Sequence, residues 1–300
     1  YSGLVVKCGQ YFEQLKTNAS ASARFIKRQI QKATSYFQDY RHVFIGLINL
    51  KTIQDQDFVH AVNTAIYAMF LAQELDLDRT DIVKVGMTAI TQDVDRILRA
   101  EVSAIEAVGD KSHFQTNMTS VTVLSQMGAT DVVSALRLVT TYERGFPYNK
   151  PLPREWYSEE FRPHLLSRIV EIARHYDLLI QGLDDRTALT PDLALQNISQ
   201  QMGKHYDPRL AKLFINVIGI YPVGEVVLLS TGEKAIVVKS PAINPSQRNK
   251  SVAHRPTVKL IDGSNRLIDL CLDQNQSIHI VQILDPDKET TDRPGAFFFF

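Results

Sequence analysis

The stretch Ala89-Ile90-Thr91-Gln92-Asp93-Val94-Asp95-Arg96 closes an apolar run of helical periodicity that passes through Ile82, Val85 and Met87. It sets a side-chain amide, Gln92, directly before a carboxylate, Asp93. A second carboxylate, Asp95, and a guanidinium, Arg96, follow. Upstream, Thr80-Asp81 reads as the helix start, an N-cap with an early acid. A carboxylate at the end of such a helix is a cap, an ion-pair partner or a metal ligand. Which of these Asp93 becomes depends on what converges on it, and His60, Glu143 and Arg144 are the candidates.

Outward from that stretch the chain reads as helix. Residues 1–48 carry Tyr11, Phe12, Leu15, Phe25, Ile26, Ile30, Tyr36 and Phe37 at roughly helical spacing, with Arg24, Lys27, Arg28 and Lys32 as a solvated face. Phe58–Leu75 is strongly helical and sets His60 on its apolar side. Further helices are expected over 100–108, 114–126 and 130–142, then over Glu160–Leu179, Pro191–Lys204 and Pro208–Ile218. Pro147, Pro151 and Pro153 mark a loop between them. At Tyr221 the texture changes to short β-branched runs, at 226–229, 235–238, 257–261 and 278–281, separated by turn signals such as Asp262-Gly263. The fold class is therefore mainly α. An N-terminal helical segment (1–48) precedes a helical domain (49–220), and a small β-meander or barrel (221–285) and a polar tail (286–300) ending in Phe297–Phe300 follow.

The bulk numbers narrow the function. Lys+Arg and Asp+Glu balance at 33 each, so nucleic-acid binding by bulk charge is not expected. No apolar run is long and uninterrupted enough to span a membrane. The two cysteines, Cys8 and Cys271, lie in separate segments and suggest neither a disulfide scaffold nor a thiolate metal site, so a cytoplasmic setting is expected.

Four stretches, in order, resemble the HD-GYP family: Phe58–Thr64, Leu75-Asp76-Leu77, Ala89–Arg96, and Thr141-Tyr142-Glu143-Arg144-Gly145-Phe146-Pro147. Tyr221–Val226 through Gly232-Glu233 resembles the small β extension that often follows that domain. The resemblance covers most of residues 45–285. It implies an HD-type all-helical domain and, for the family, metal-dependent hydrolysis of cyclic di-GMP. Carried over by position, however, most of the family's metal ligands are replaced. His60 is kept, and Gln56 replaces the glutamate one turn before it. The His-Asp doublet becomes Gln92-Asp93, and Arg96 stands at the lysine position. Thr116 falls at the next histidine, with His113 one turn away. Thr141 and Tyr142 stand at a paired-histidine position ahead of Glu143, and Arg174 stands at the late metal aspartate, with Asp177 beyond it. Arg186 matches an arginine that meets substrate phosphate.

The resemblance thus implies a vestigial site of His60, Gln92, Asp93, Thr116, Thr141, Tyr142, Glu143, Arg174 and Asp177. No catalytic residue and no metal or other cofactor is expected. Without several imidazole and carboxylate ligands nothing holds iron or manganese or activates a water. Arg174 adds a fixed positive charge where a cation would sit. The expected function is a catalytically silent signalling module with a protein partner, a homodimer being one form. Its contact loop would include Gly145, Phe146, Pro147 and Trp156. A cyclic dinucleotide is a candidate ligand, held by Arg96, Arg144 and Arg186 together with Arg174. Equally open at this point is an internal salt bridge from Arg174 to Asp93 or Glu143. Two other classes stay open: a phosphodiesterase with a remodelled iron or manganese site built from His60, Asp93, Asp95, His113, Glu143 and Asp177, and a purely structural or dimerising element.

Overall fold

A computed structural model describes residues 1–17, 23–49, 56–97, 113–126, 131–149, 162–183, 187–239 and 255–284. The expected helix at 100–108, Trp156, Arg186 and Phe297–Phe300 lie outside the described residues. The helices are α1 (Ser2–Lys16), α2 (Arg24–Thr34), α3 (Phe37–Asn49), α4 (Gln56–Glu74), α5 (Arg79–Thr91), α6 (Val94–Ile97), α7 (His113–Ser125), α8 (Val132–Tyr142), α9 (Leu165–Gln181), α10 (Pro191–Gln200) and α11 (Pro208–Ile218). The strands are β1 (Val226–Leu229), β2 (Lys234–Lys239), β3 (Thr257–Leu260), β4 (Leu267–Asp269) and β5 (Ile280–Leu284).

The chain divides into two compact units, one of Tyr1–Gln38, Ile53–Leu189 and Gln196–Phe214, the other of Asp39–Thr52, Thr190–Leu195 and Ile215–Phe300. α1 and α2 fall in the first unit and most of α3 in the second.

In the helical unit α4 is the central rod. It buries every residue from His60 to Ala72, as expected of a helix that is apolar all round. α1, α5 and α9 pack on it, α2 and α8 pack on α5, and α7 packs on α8. Tyr67 meets Tyr176 edge-on at 5.2 Å, and both rings meet Phe214. Local chemistry sets the helix ends. Asp78, not Thr80, caps α5, its side chain accepting the Asp81 N–H at 2.8 Å. Asp131 caps α8 in the same way through Ser134. α9 begins later than the apolar pattern suggested, after Pro163 and with His164 as its cap, and stops at Gly182 in the left-handed conformation, φ 65°.

The second unit carries an antiparallel sheet ordered β4-β3-β2-β1-β5. Alternate residues Val227, Leu229, Ala235, Val237, Val258 and Leu260 point to a shared core with Ile268, Leu270 and Ile280. Gly232 (φ 85°) turns the β1–β2 hairpin. The sequence pattern missed β4, which is only three residues long, and set the last strand two residues early.

Gly86 lies at a close helix crossing. A Cβ there would stand 2.6 Å from the Met69 sulfur and 3.0 Å from Ile30 Cγ2. Gly86→Val should therefore destabilise the protein by about 2 kcal/mol or more, measured by urea unfolding, because the buried neighbours leave no room for the branch.

Candidate functional site

α5 ends with Gln92 as its C-cap, and this delivers Asp93 into the interior. Asp93 is buried, and both its oxygens are taken. Arg174 Nε donates to Oδ1 and Oδ2, each at 2.9 Å, and Arg144 Nη1 donates to Oδ1 at 2.8 Å. His60, from α4, bridges two carboxylates: Nδ1 lies 2.7 Å from Asp177 Oδ2, and Nε2 lies 3.2 Å from Asp93 Oδ2. Asp177 Oδ1 accepts from Asn63 at 3.0 Å, and Asn63 Oδ1 accepts from the Tyr1 hydroxyl at 2.7 Å. Asp93, His60 and Arg174 therefore meet in one buried network fed by α4, α5 and α9, with Arg144 entering just past the end of α8.

The electrostatics follow from that geometry. Burial alone would raise the Asp93 carboxyl, but Arg174, His60 and Arg144 outweigh it and hold it well below the usual carboxylate range. Burial likewise works to lower His60, yet its bonds to Asp177 and Asp93 win and its pKa is raised. Glu171 is lowered against its burial by His205 and Arg174. It accepts the Gly145 N–H at 3.2 Å and lies 3.8 Å from Arg174 Nη1.

Other residues singled out by the sequence are placed differently. Glu143 does not join Asp93. Its Oε2 accepts the His164 N–H at 2.8 Å and the Ser167 hydroxyl at 2.5 Å, so it secures the start of α9. Arg96 is paired with Asp57 at 2.9 Å. Arg144 also donates to the Gln92 carbonyl at 3.0 Å and to Asn117 Oδ1 at 3.0 Å. Neither arginine is thus presented as an open phosphate clamp. Gln92 Nε2 and Thr141 Oγ1 are buried without a hydrogen-bond partner among the described residues. Tyr142 packs edge-on against Phe146 at 5.3 Å. His113 and Thr116 lie on α7, in the helical unit.

The Gly145-Phe146-Pro147 turn is pinned to its own domain. Gly145 adopts φ 77°, and the Tyr148 and Asn149 N–H groups donate to the carbonyls of His205 and Lys204, each at 3.0 Å. The Arg162 guanidinium lies 5.2 Å from the Tyr148 ring centre. A cleft beside the turn is lined by Glu143, Phe146, Ser167, Glu171, His205 and Tyr206.

These residues do not fit a divalent cation at the matched position. Arg174 and Arg144 already take both Asp93 oxygens, His60 has a carboxylate on each ring nitrogen, and Gln92 and Thr141 are neutral. Among the described residues no group of three or more His, Cys, Asp or Glu is arranged to hold a metal ion. Sequence reading missed Asn63, Asn117 and Glu171. Glu171 had a signal, since Glu171, Arg174 and Asp177 recur at helical spacing on α9. Asn117 had none, because its partners are remote in the chain.

Two outcomes test the network. Asp93→Asn, which leaves two guanidinium groups without their carboxylate, should cost about 3 kcal/mol or more in urea unfolding. Coupling to Arg174→Met in a double-mutant cycle should recover a large part of it. The second test is pH dependence. His60's folded-state pKa lies above the ordinary imidazole value, so its contribution is complete below pH ~6.5 and is lost as the pH rises through the folded-state value. The stability gap between wild type and His60→Gln should therefore narrow as the pH is raised from about 6 toward 9, read by denaturant titration at each pH.

No family model matches the chain. It is 24% identical over 210 residues to the cyclic di-GMP phosphodiesterase PA4108 of Pseudomonas aeruginosa, a match covering 66% of this chain and 48% of that protein. The chain thus spans about half the length of the curated relative it matches. Its fold is similar to that of Bd1817, an HD-GYP protein from Bdellovibrio bacteriovorus, with a TM-score of 0.52 and 12% identity, covering 70% of this chain and 67% of that one. Among the described residues no helix is long and apolar enough to cross a membrane. The chain is thus similar in sequence to a cyclic di-GMP phosphodiesterase and similar in fold to an HD-GYP protein.

Proposed function

We propose that this chain is a signalling module of the cyclic di-GMP type that no longer hydrolyses a phosphodiester and acts through a protein partner. One observation carries the reading: Arg174 donates to both oxygens of Asp93, the carboxylate that the resemblance assigns to metal binding. A metal-activated water needs a cation held by carboxylates and imidazoles. Here protein cations meet Asp93 instead, and each ring nitrogen of His60 already faces a carboxylate oxygen, of Asp177 and of Asp93. Cyclic di-GMP enters by the likeness to a phosphodiesterase named for it. Its phosphates would have to find donors other than the committed faces of Arg96 and Arg144. Two free cysteines, one buried and one exposed, suit the cytoplasmic setting of this reading.

The alternative is a phosphodiesterase with a remodelled site, which requires Arg174 to swing away from Asp93. Elemental analysis of anaerobically purified protein, paired with a hydrolysis assay on cyclic di-GMP with added manganese or iron, separates the two. The expected result is metal far below one equivalent and no hydrolysis above background. About one equivalent of iron or manganese, lost on His60→Ala, would revive the hydrolase.

A further inference from the structure

α1 and α2 are rich in cations and poor in acids. Lys7, Lys16, Arg24, Lys27, Arg28 and Lys32 stand on these two helices against a single acid, Glu13, in a chain whose formal charge sums to zero. Glu13 is committed locally to Lys16 at 2.8 Å, and Lys27 lies within electrostatic reach of Asp131. α2 buries Ile26 and Ile30 in the fold, and this turns Phe25, Arg28 and Lys32, at spacing i, i+3 and i+7, outward on one stripe with Arg24. Phe25 remains 56% exposed, although a phenylalanine on a packed helix normally turns inward. Lys7 Nζ sits 5.7 Å from its ring centre, and the neighbouring Val6 is also 56% exposed.

We propose that this face docks peripherally on an anionic lipid surface. Each exposed cation near such a surface gains from the negative potential, and apolar tips set among cations enter the headgroup layer. A short acidic peptide would suit a groove better, but the cleft described above is lined from α9 and the 205–207 turn, not from α1 or α2. Exposed cations around an exposed apolar side chain match a fluid, negatively charged partner.

The test is co-sedimentation of the full chain with phosphatidylcholine vesicles, with and without about 30% phosphatidylserine, in low salt and in about 0.5 M salt. Binding is expected only to the phosphatidylserine vesicles and only in low salt. Arg28→Glu/Lys32→Glu should weaken it about tenfold or more, and Phe25→Ser should weaken it while leaving the salt dependence in place. All three positions are exposed, and unchanged thermal unfolding of the variants would separate lost binding from lost fold. Equal binding to both vesicle types, or charge reversal without effect, overturns the proposal. So does binding of poly-glutamate, but not of the vesicles, with the same Arg28 and Lys32 dependence, which would assign the face to an acidic protein.

Discussion

A buried carboxylate has to be neutralised, and in this fold the neutralising charge for Asp93 comes from the chain itself. Taking Asp93, Asp177 and Glu171 out of water costs several kcal/mol each unless cations meet them in good geometry. Arg174, Arg144 and His60 supply those cations from α9, from the turn after α8 and from α4. In a metal site the compensating charge can dissociate. Here it is covalently attached, so the balance is present in every folded molecule and cannot be removed by a chelator. Such a network adds little net stability over an apolar core, but breaking any one of its pairs leaves the other charge stranded.

The same network fixes how the apolar helices sit. α4, α5 and α9 meet largely through apolar side chains, and apolar contacts alone tolerate sliding better than polar ones do. His60 and Asn63 on α4 meet Asp177 on α9, while Asp93 meets Arg174 one turn earlier on α9, so axial register is specified at two levels. Asn117 extends the lock to α7 by accepting from Arg144 and donating to the carbonyls of Tyr142 and Arg144. Glu143 does the corresponding work at the N-terminus of α9. Two adjacent residues, Glu143 and Arg144, thus serve separate ends of the structure because the backbone leaves α8 between them.

Much of this could be read from the chain before any coordinates. The 3.6-residue periodicity marked the helical stretches that the described residues contain, and the β-branched runs marked four of the five strands, because both patterns record which face is buried. Arg174 facing Asp93 was one of two open readings, and charge complementarity across the site is what made it readable. Glu143 was not readable: from sequence it stands beside Arg144 at a motif position, and only the helix end at Tyr142 sends its side chain toward His164 and Ser167. Asn117 was out of reach for a related reason. An asparagine holds remote carbonyls through geometry that no local pattern encodes. The cap of α5 was misread because Asp78 and Thr80 are both good capping residues, and only the hydrogen bond to Asp81 distinguishes them.

A net charge of zero argues against binding by bulk electrostatics for the molecule taken as a whole. It says nothing about distribution, because screening confines each exposed charge to about 8–10 Å in physiological salt. Within that radius a surface senses its own helix and its neighbours, not the acids elsewhere on the chain. The interior of the helical unit and its α1–α2 face are therefore solved separately. Inside, cations and carboxylates are matched one against another at hydrogen-bond distance, and little field escapes. Outside, α1 and α2 themselves carry six cations and one acid, Glu13, so the field they make is directed to the solvent side. A domain whose buried carboxylates are met by internal ion pairs can for that reason carry a basic face without disturbing its core.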